Sequence, residues 1–167
     1  MPGLRDLPKR MVEDFEVYFM KEQVTQGYQI NKVDENGDYI YFIYRGVCKL
    51  LYPTNKMSDI FVKSDLFDPD KQQLVMIGHI SRGDMFGEQS ALNDISSTYT
   101  VAACSPKVEY YKIHRSDFLK YFGGDDGNQV NEMRARMIQQ NNWFHSKLLM
   151  IETMGIQNTI NLEFCNP

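Results

Sequence analysis

The sequence predicts an α+β fold that is mainly β, with a short helix before the strands and a long helix after them. Three observations carry this expectation. Residues 23–51 and 74–113 hold short runs of Tyr, Ile, Phe and Val separated by Asp, Asn and Gly turn signals. Residues 128–154 contain no Pro or Gly and place apolar residues three, four or seven apart. The chain of 167 residues is 43% hydrophobic and 13% aromatic. That suffices for one core, at a size where roughly 70% of the unfolded surface is buried without a disulfide or metal staple.

Taken in order, residues 7–19 space Leu7, Met11, Phe15, Val17 and Tyr18 as a short amphipathic helix, with Pro8 tolerated in its first turn. Three strands are expected over 23–51: one around Tyr28 and Ile30, one over 39–44, and one over 47–51. Asp34 to Asp38 and Arg45-Gly46 supply the turns. Residues 53–73 carry seven charges and read as a loop or long hairpin. Strands resume at 74–80, 98–104 and 108–113, with Arg82-Gly83-Asp84 as turn chemistry. Gly-Gly-Asp-Asp-Gly at 123–127 breaks the chain as a hinge, and Asn128 can cap the long helix that follows. Its stripe of Val130, Met133, Met137, Phe144, Leu148 and Ile151 is interrupted near Gln140. The expected organisation is one domain over 1–154, with 20–118 as its β part and 119–154 as hinge and C-terminal helix. A tail over 155–167 completes it.

Charge and composition exclude several functions. With 18 basic and 22 acidic residues the formal charge is −4, so no basic field gathers polyanions, and nucleic acid is not an expected partner. The apolar runs fall far short of the ~20 residues of a membrane span. The start lacks the apolar centre of a secretory signal and Cys48, Cys104 and Cys165 form no paired framework, so a reduced, intracellular and cytoplasmic protein is expected. Asp34-Glu35-Asn36-Gly37-Asp38 resembles an EF-hand start, but Gly37 stands fourth rather than sixth and Arg45 stands twelfth where a Glu is needed. His79, His114 and His145 lack zinc-ligand spacing, and no metal is expected. Neither a P-loop nor a nucleophile–base signature occurs, so an enzyme is not expected.

The informative stretch is Gly83-Asp84-Met85-Phe86-Gly87-Glu88-Gln89-Ser90-Ala91-Leu92, a Gly-Asp turn that opens a short helix. Backbone N–H groups at such a start suit an anion, and Gly87 allows close approach. Glu88 cannot neutralise a phosphate but can accept hydrogen bonds from sugar hydroxyls, although a first-turn acid also simply suits the helix dipole. Ser96, Ser97 and Thr98 can donate to a phosphate or satisfy a turn. Phe144 and Leu148 fit core packing. Trp143 lies off their stripe.

These residues resemble the cyclic nucleotide-binding domain. Gly83 to Glu88 is similar to the start of that family's phosphate-binding cassette. Asn36-Gly37-Asp38-Tyr39-Ile40-Tyr41-Phe42-Ile43-Tyr44-Arg45-Gly46 resembles its glycine-flanked strand pair, and Ile113-His114-Arg115-Ser116-Asp117-Phe118 its exit into the hinge helix. The resemblance covers about residues 4–150. It implies a β-roll (jelly-roll) barrel with an N-terminal helix, a short cassette helix and a long C-terminal helix. It also implies cAMP or cGMP as ligand, held by Phe86, Gly87, Glu88, Gln89, Ser90, Ala91, Ser97 and Thr98 under a base lid from the C-terminal helix, for which Trp143 is a better candidate than Phe144 or Leu148. The chain departs from the family at Ser97, which stands where the family has an arginine for the cyclic phosphate, and no arginine lies between Arg82 and Arg115. A lost charge-assisted pair costs on the order of 2–5 kcal/mol.

The expected function is therefore a non-catalytic regulatory module that binds cAMP or cGMP weakly or conditionally and relays this through the C-terminal helix. Its output would lie in a protein effector or the rest of a larger chain. The alternative is a degenerate domain without ligand that acts as a protein-interaction scaffold. A metabolite-binding β-roll of the cupin type would need a His and Glu cluster that the sequence does not display.

Overall fold

The structure, a computed structural model, describes residues 15–53, 56, 74–122, 131, 135, 138–139, 142–144 and 146–150. Among the described residues, eight strands form two four-stranded antiparallel sheets. These are β1 (Met20–Thr25), β2 (Gln29–Asn31), β3 (Tyr39–Arg45), β4 (Val47–Pro53), β5 (Leu74–Ser81), β6 (Met85–Phe86), β7 (Thr100–Ala103) and β8 (Lys107–His114). One sheet runs β1-β8-β3-β6 and the other β2-β7-β4-β5. Helices α1 (Phe15–Tyr18), α2 (Glu88–Asn93) and α3 (Arg115–Phe122) flank or interrupt them, and the described residues between 131 and 150 are helical. This is the β-roll that the resemblance implied.

Alternation along β3 explains the two main cores. Ile43 points between the sheets with Cys48, Leu50, Val75, Ile77, Phe86, Val101, Val108 and Tyr110, while Ile40 and Phe42 meet Phe19, Ala91, Ile113 and Phe118. One strand thus ties the barrel interior to the α1, α2 and α3 side. The β3–β4 hairpin turns on Gly46 at φ +98°, where a Cβ would stand 2.6 Å from the Lys107 carbonyl oxygen. Only glycine combines that dihedral with that approach.

The structure corrects the reading of 23–51 as three strands. Met20–Thr25 is a fourth strand, in register with β8 from Met20↔Lys112 to Thr25↔Lys107. Its signal is polar: Glu22 bonds to Lys112 at 2.6 Å and to the Tyr110 hydroxyl at 2.5 Å, and Lys21 meets Glu109 at 3.3 Å. Cross-strand charge pairs do here what alternating apolar residues do elsewhere. The strand expected at 98–104 begins only at Thr100, because Ser96 and Ser97 are bridged to the turn at Asp34–Asn36 instead. Met85 and Phe86 form a two-residue strand on β3 before the helix opens. The expected helix over 7–19 is helical over Phe15–Tyr18, and its earlier residues lie outside those described. The connection at 53–73 lies outside them almost entirely, as do the hinge at 123–127, Asn128 and the tail.

Candidate functional site

Between the 83–99 segment and the C-terminal helix lies a pocket of about 220 Å³. Its floor comes from Leu50, His79 and Ile80 of β4 and β5, and one wall from Asp84, Met85, Phe86, Glu88 and Gln89. Thr98 and Tyr99 form the facing wall, and Trp143 and Phe144 close it from the C-terminal helix. Residue 50, residues 79–89, residues 98–99 and residues 143–144 meet there.

The 83–88 turn is built from the backbone outward. Asp84 accepts a 2.7 Å hydrogen bond from the Ser81 amide, and the Gly83 amide donates to the Ile43 carbonyl at 3.0 Å, which fixes the turn on β3. The Phe86 ring then stacks on Tyr41 with centroids 4.6 Å apart and planes 3° from parallel. Gly87, at φ +83°, turns the chain into α2, and a Cβ there would stand 2.6 Å from the Tyr39 carbonyl oxygen. Both demands are those of folding, so Gly87 is needed whether or not a ligand approaches it.

Glu88 is 3% exposed, and its Oε2 is buried without a hydrogen-bond partner. Burial pushes its carboxyl up to about 7, opposed only in part by its own backbone amide. Tyr99 shows the same influence: burial and then the nearby Glu88 raise its phenol far above the ordinary range, while the Gly87 backbone amide works the other way. The Tyr99 ring meets Phe144 at 5.6 Å, and Phe144 also meets Tyr52 edge-on at 5.5 Å. An aromatic file thus joins β4, the 98–99 wall and the helix. Trp143 is 45% exposed and packs over Gly78, where a Cβ would come within 2.9 Å of its ring.

Of the nine residues singled out in the sequence, Phe86, Glu88, Gln89, Thr98 and Trp143 line this pocket together. Gly87, Ser90, Ala91 and Ser97 do not. Ser90 packs on Gly37, where a Cβ would lie 2.1 Å from the Ser90 Cβ, and Ala91 belongs to the core around Phe19 and Phe118. Ser97 is 2% exposed; its hydroxyl accepts from the Asn31 side-chain amide at 2.6 Å and donates to the Tyr99 carbonyl at 2.9 Å. Arg115, the first arginine after the segment, is paired with Asp94 at the end of α2. Tyr99 escaped the sequence reading because nothing distinguishes it from the strand residues that follow. Phe144 was weighed as core, and it is both packed on the core and part of the pocket. Among the described residues, no cluster of His, Cys, Asp and Glu could hold a metal ion, and no helix is long and apolar enough to cross a membrane.

The cyclic nucleotide-binding domain family model matches residues 21–125, more than half of the chain. No curated protein sequence matches. Among solved structures, the regulatory subunit of a cAMP-independent protein kinase A from Trypanosoma brucei is similar at TM-score 0.64 and 22% identity, over 88% of this chain and 47% of that one. The corresponding regulatory subunit from Trypanosoma cruzi, bound to guanosine, gives 0.65 and 18% over 93% and 47%. The catabolite activator protein of Thermus thermophilus gives 0.64 and 18% over 90% and 64%. The chain spans about half the length of the kinase subunits it resembles. The domain match and the shared β-roll lead to one conclusion: this chain belongs to the cyclic nucleotide-binding domain family.

Proposed function

We propose that this chain is a non-catalytic regulatory module whose pocket takes a purine ribose ligand, binding cAMP or cGMP weakly and relaying occupancy through the C-terminal helix. The observation that carries the reading is the single pocket shared by Phe86, Glu88, Gln89 and Thr98 with Trp143 and Phe144 of that helix. A ligand touching both must favour one helix position over others, which is what a relay requires. Solved structures of this fold hold cAMP in a Toxoplasma gondii protein kinase A regulatory domain and guanosine in the T. cruzi subunit. A purine on ribose is common to both. Weakness follows from Ser97, which brings no cation to a cyclic phosphate. The output is a protein effector or a further part of a larger chain, and an intracellular, cytoplasmic setting fits such a module.

A second reading has its own support: Phe144 rests on Tyr99, so the chain's own rings occupy part of the pocket mouth. On that reading the domain is a scaffold that has lost its ligand. A thermal-shift titration with cAMP and cGMP to millimolar, beside Glu88→Ala, separates the two. Ligand at about 100 times its dissociation constant stabilises by about 2.7 kcal/mol, or roughly 5–10 °C here. A shift with either nucleotide that Glu88→Ala abolishes supports the regulatory reading, and no shift with either leaves the scaffold.

A further inference from the structure

Glu88 is the buried carboxyl of the pocket, and the fold satisfies only part of it. Its Oε2 has no partner at 3% exposure, and its own backbone amide alone opposes the cost of its charge. The groups around it supply no compensating cation. β5 brings His79, the turn after it brings Asp84, already tied to the Ser81 amide, and the facing wall brings Tyr99. β3 adds the Tyr39 carbonyl and the Tyr41 ring beside Gly87, and Lys147 of the C-terminal helix stands over Trp143, outside the pocket lining. Beyond the end of α2, Arg115 is engaged by Asp94. Among the described residues no lysine or arginine lines the pocket.

The C-terminal helix closes the pocket over this carboxyl. Trp143, itself half-exposed, and Phe144 form that closure, held by Phe144 on Tyr52 and Tyr99 and by Trp143 over Gly78. Tyr99 stays protonated near neutrality, because burial and Glu88 both raise it. The apolar closure is therefore indifferent to pH, while the charge beneath it is not. We propose that the pocket is a proton-operated clasp: with Glu88 protonated the C-terminal helix stays docked, and loss of that proton to solvent lifts the helix and lets water reach the carboxylate. This goes beyond the ligand reading above and needs no nucleotide. Burial holds the docked carboxyl at about 7 against an ordinary 4.5, so the docked state binds the proton more tightly and acid favours docking. Lifting that restores the ordinary value makes docking up to roughly 300-fold more favourable in acid than in base.

Trp143 is the chain's one tryptophan, so its fluorescence reports the closure directly. Titration of the whole chain from acid to mildly alkaline pH should shift its emission to longer wavelength, with one midpoint between about 4.5 and 7. The shift should persist in the His79→Gln/His145→Gln double variant, which removes the imidazoles near the indole in space or in sequence. Glu88→Gln should keep the docked emission at every pH. Should that variant fail to fold, Phe144→Ala, which weakens docking, serves in its place and should move the midpoint down by about one pH unit. A flat titration of the wild type overturns this inference and leaves the nucleotide reading to its own test. A shift that vanishes with the histidines, survives Glu88→Gln or keeps its midpoint in Phe144→Ala also overturns it.

Discussion

The side-chain amide of Asn31 donates a 2.6 Å hydrogen bond to the hydroxyl of Ser97, across 66 residues of sequence and inside the protein. The same amide reaches the Tyr99 carbonyl at 3.2 Å, and Ser97 donates to that carbonyl in turn. The backbone continues the pattern, with the Ser97 amide donating to the Glu35 carbonyl and the Asp34 amide to the Ser97 carbonyl. Ser97 therefore fastens the 34–36 turn to the entrance of β7. Its buried hydroxyl is spent on holding the chain to itself.

Ser97→Ala should accordingly lower stability. The hydroxyl joins one donor and one acceptor in a buried place, and removing it leaves Asn31 only its longer bond to Tyr99. A loss of about 1 kcal/mol is expected, or roughly 2–4 °C in a chain of this size. Thermal melts of the two proteins check it. An unchanged midpoint would mean that water replaces the hydroxyl at no cost.

The glycines allow strain to be separated from crowding. Gly27 lies at φ +87° with nothing within 4 Å of an added Cβ, whereas Gly87 lies at φ +83° with the Tyr39 carbonyl oxygen 2.6 Å from that position. Gly27→Ala pays only for its left-handed backbone, about 1 kcal/mol. Gly87→Ala adds a clash with backbone that cannot swing away, and should cost at least about 2 kcal/mol more. Urea denaturation of both variants measures the difference. Equal losses would show that the β3–β6 contact gives way easily.

Much of this was legible in the sequence, for reasons that differ by residue. Tyr39 to Tyr44 announced β3 because β-branched and aromatic residues fill both of its faces, and Gly46 marked the hairpin because the turn demands its dihedral. Met20–Thr25 was hidden because its partner residues, Lys112 and Glu109, lie almost ninety positions away, and charge pairs leave no local period. Phe86, Glu88 and Gln89 could be grouped because they adjoin one turn. Tyr99 could not be assigned to the same pocket, since its place depends on Glu88 across the gap and Phe144 on the helix. Ser97 was legible as a hydroxyl that can satisfy a turn, but not as the partner of Asn31.

Phe144→Ala tests how firmly the C-terminal helix is held. Its ring meets Tyr52 and Tyr99 and packs on the inter-sheet core. Two aromatic pairs and the lost burial amount to about 2 kcal/mol. If that energy docks the helix, amide exchange over 142–150 should accelerate roughly 30-fold while β4 and β7 keep their protection. Trp143→Ala, which removes a half-exposed ring from over Gly78, should have the smaller effect. Uniform acceleration throughout the barrel would show instead that helix and barrel open as one unit.

Glu88 makes stability depend on pH in a direction opposite to that of most carboxylates. Its folded carboxyl stands at about 7 against an ordinary 4.5, because burial disfavours its charge. Below about 4.5 it is protonated in both folded and unfolded chains and costs nothing. Between about 4.5 and 7 the unfolded chain releases the proton first, so stability falls as pH rises; above 7 the loss is complete, on the order of 3 kcal/mol. Glu109 and Asp94 run the other way: ion pairing holds Glu109 down through Lys107 and Lys21, and Asp94 through Arg115. Glu22 joins them, since Lys112 and Tyr110 outweigh its burial. Their contributions are lost as pH falls through the range below about 4.5, so among the described carboxylates with a shifted value Glu88 is the one that acts between pH 5 and 7.5. Glu88→Gln keeps the size and removes the titration. Urea unfolding at pH 5 and pH 7.5 should therefore show wild type gaining roughly 2 kcal/mol over the variant at the lower pH, since part of the effect is already lost at pH 5. A difference that stays constant between those pH values would place Glu88 at its ordinary value, with water reaching its carboxylate.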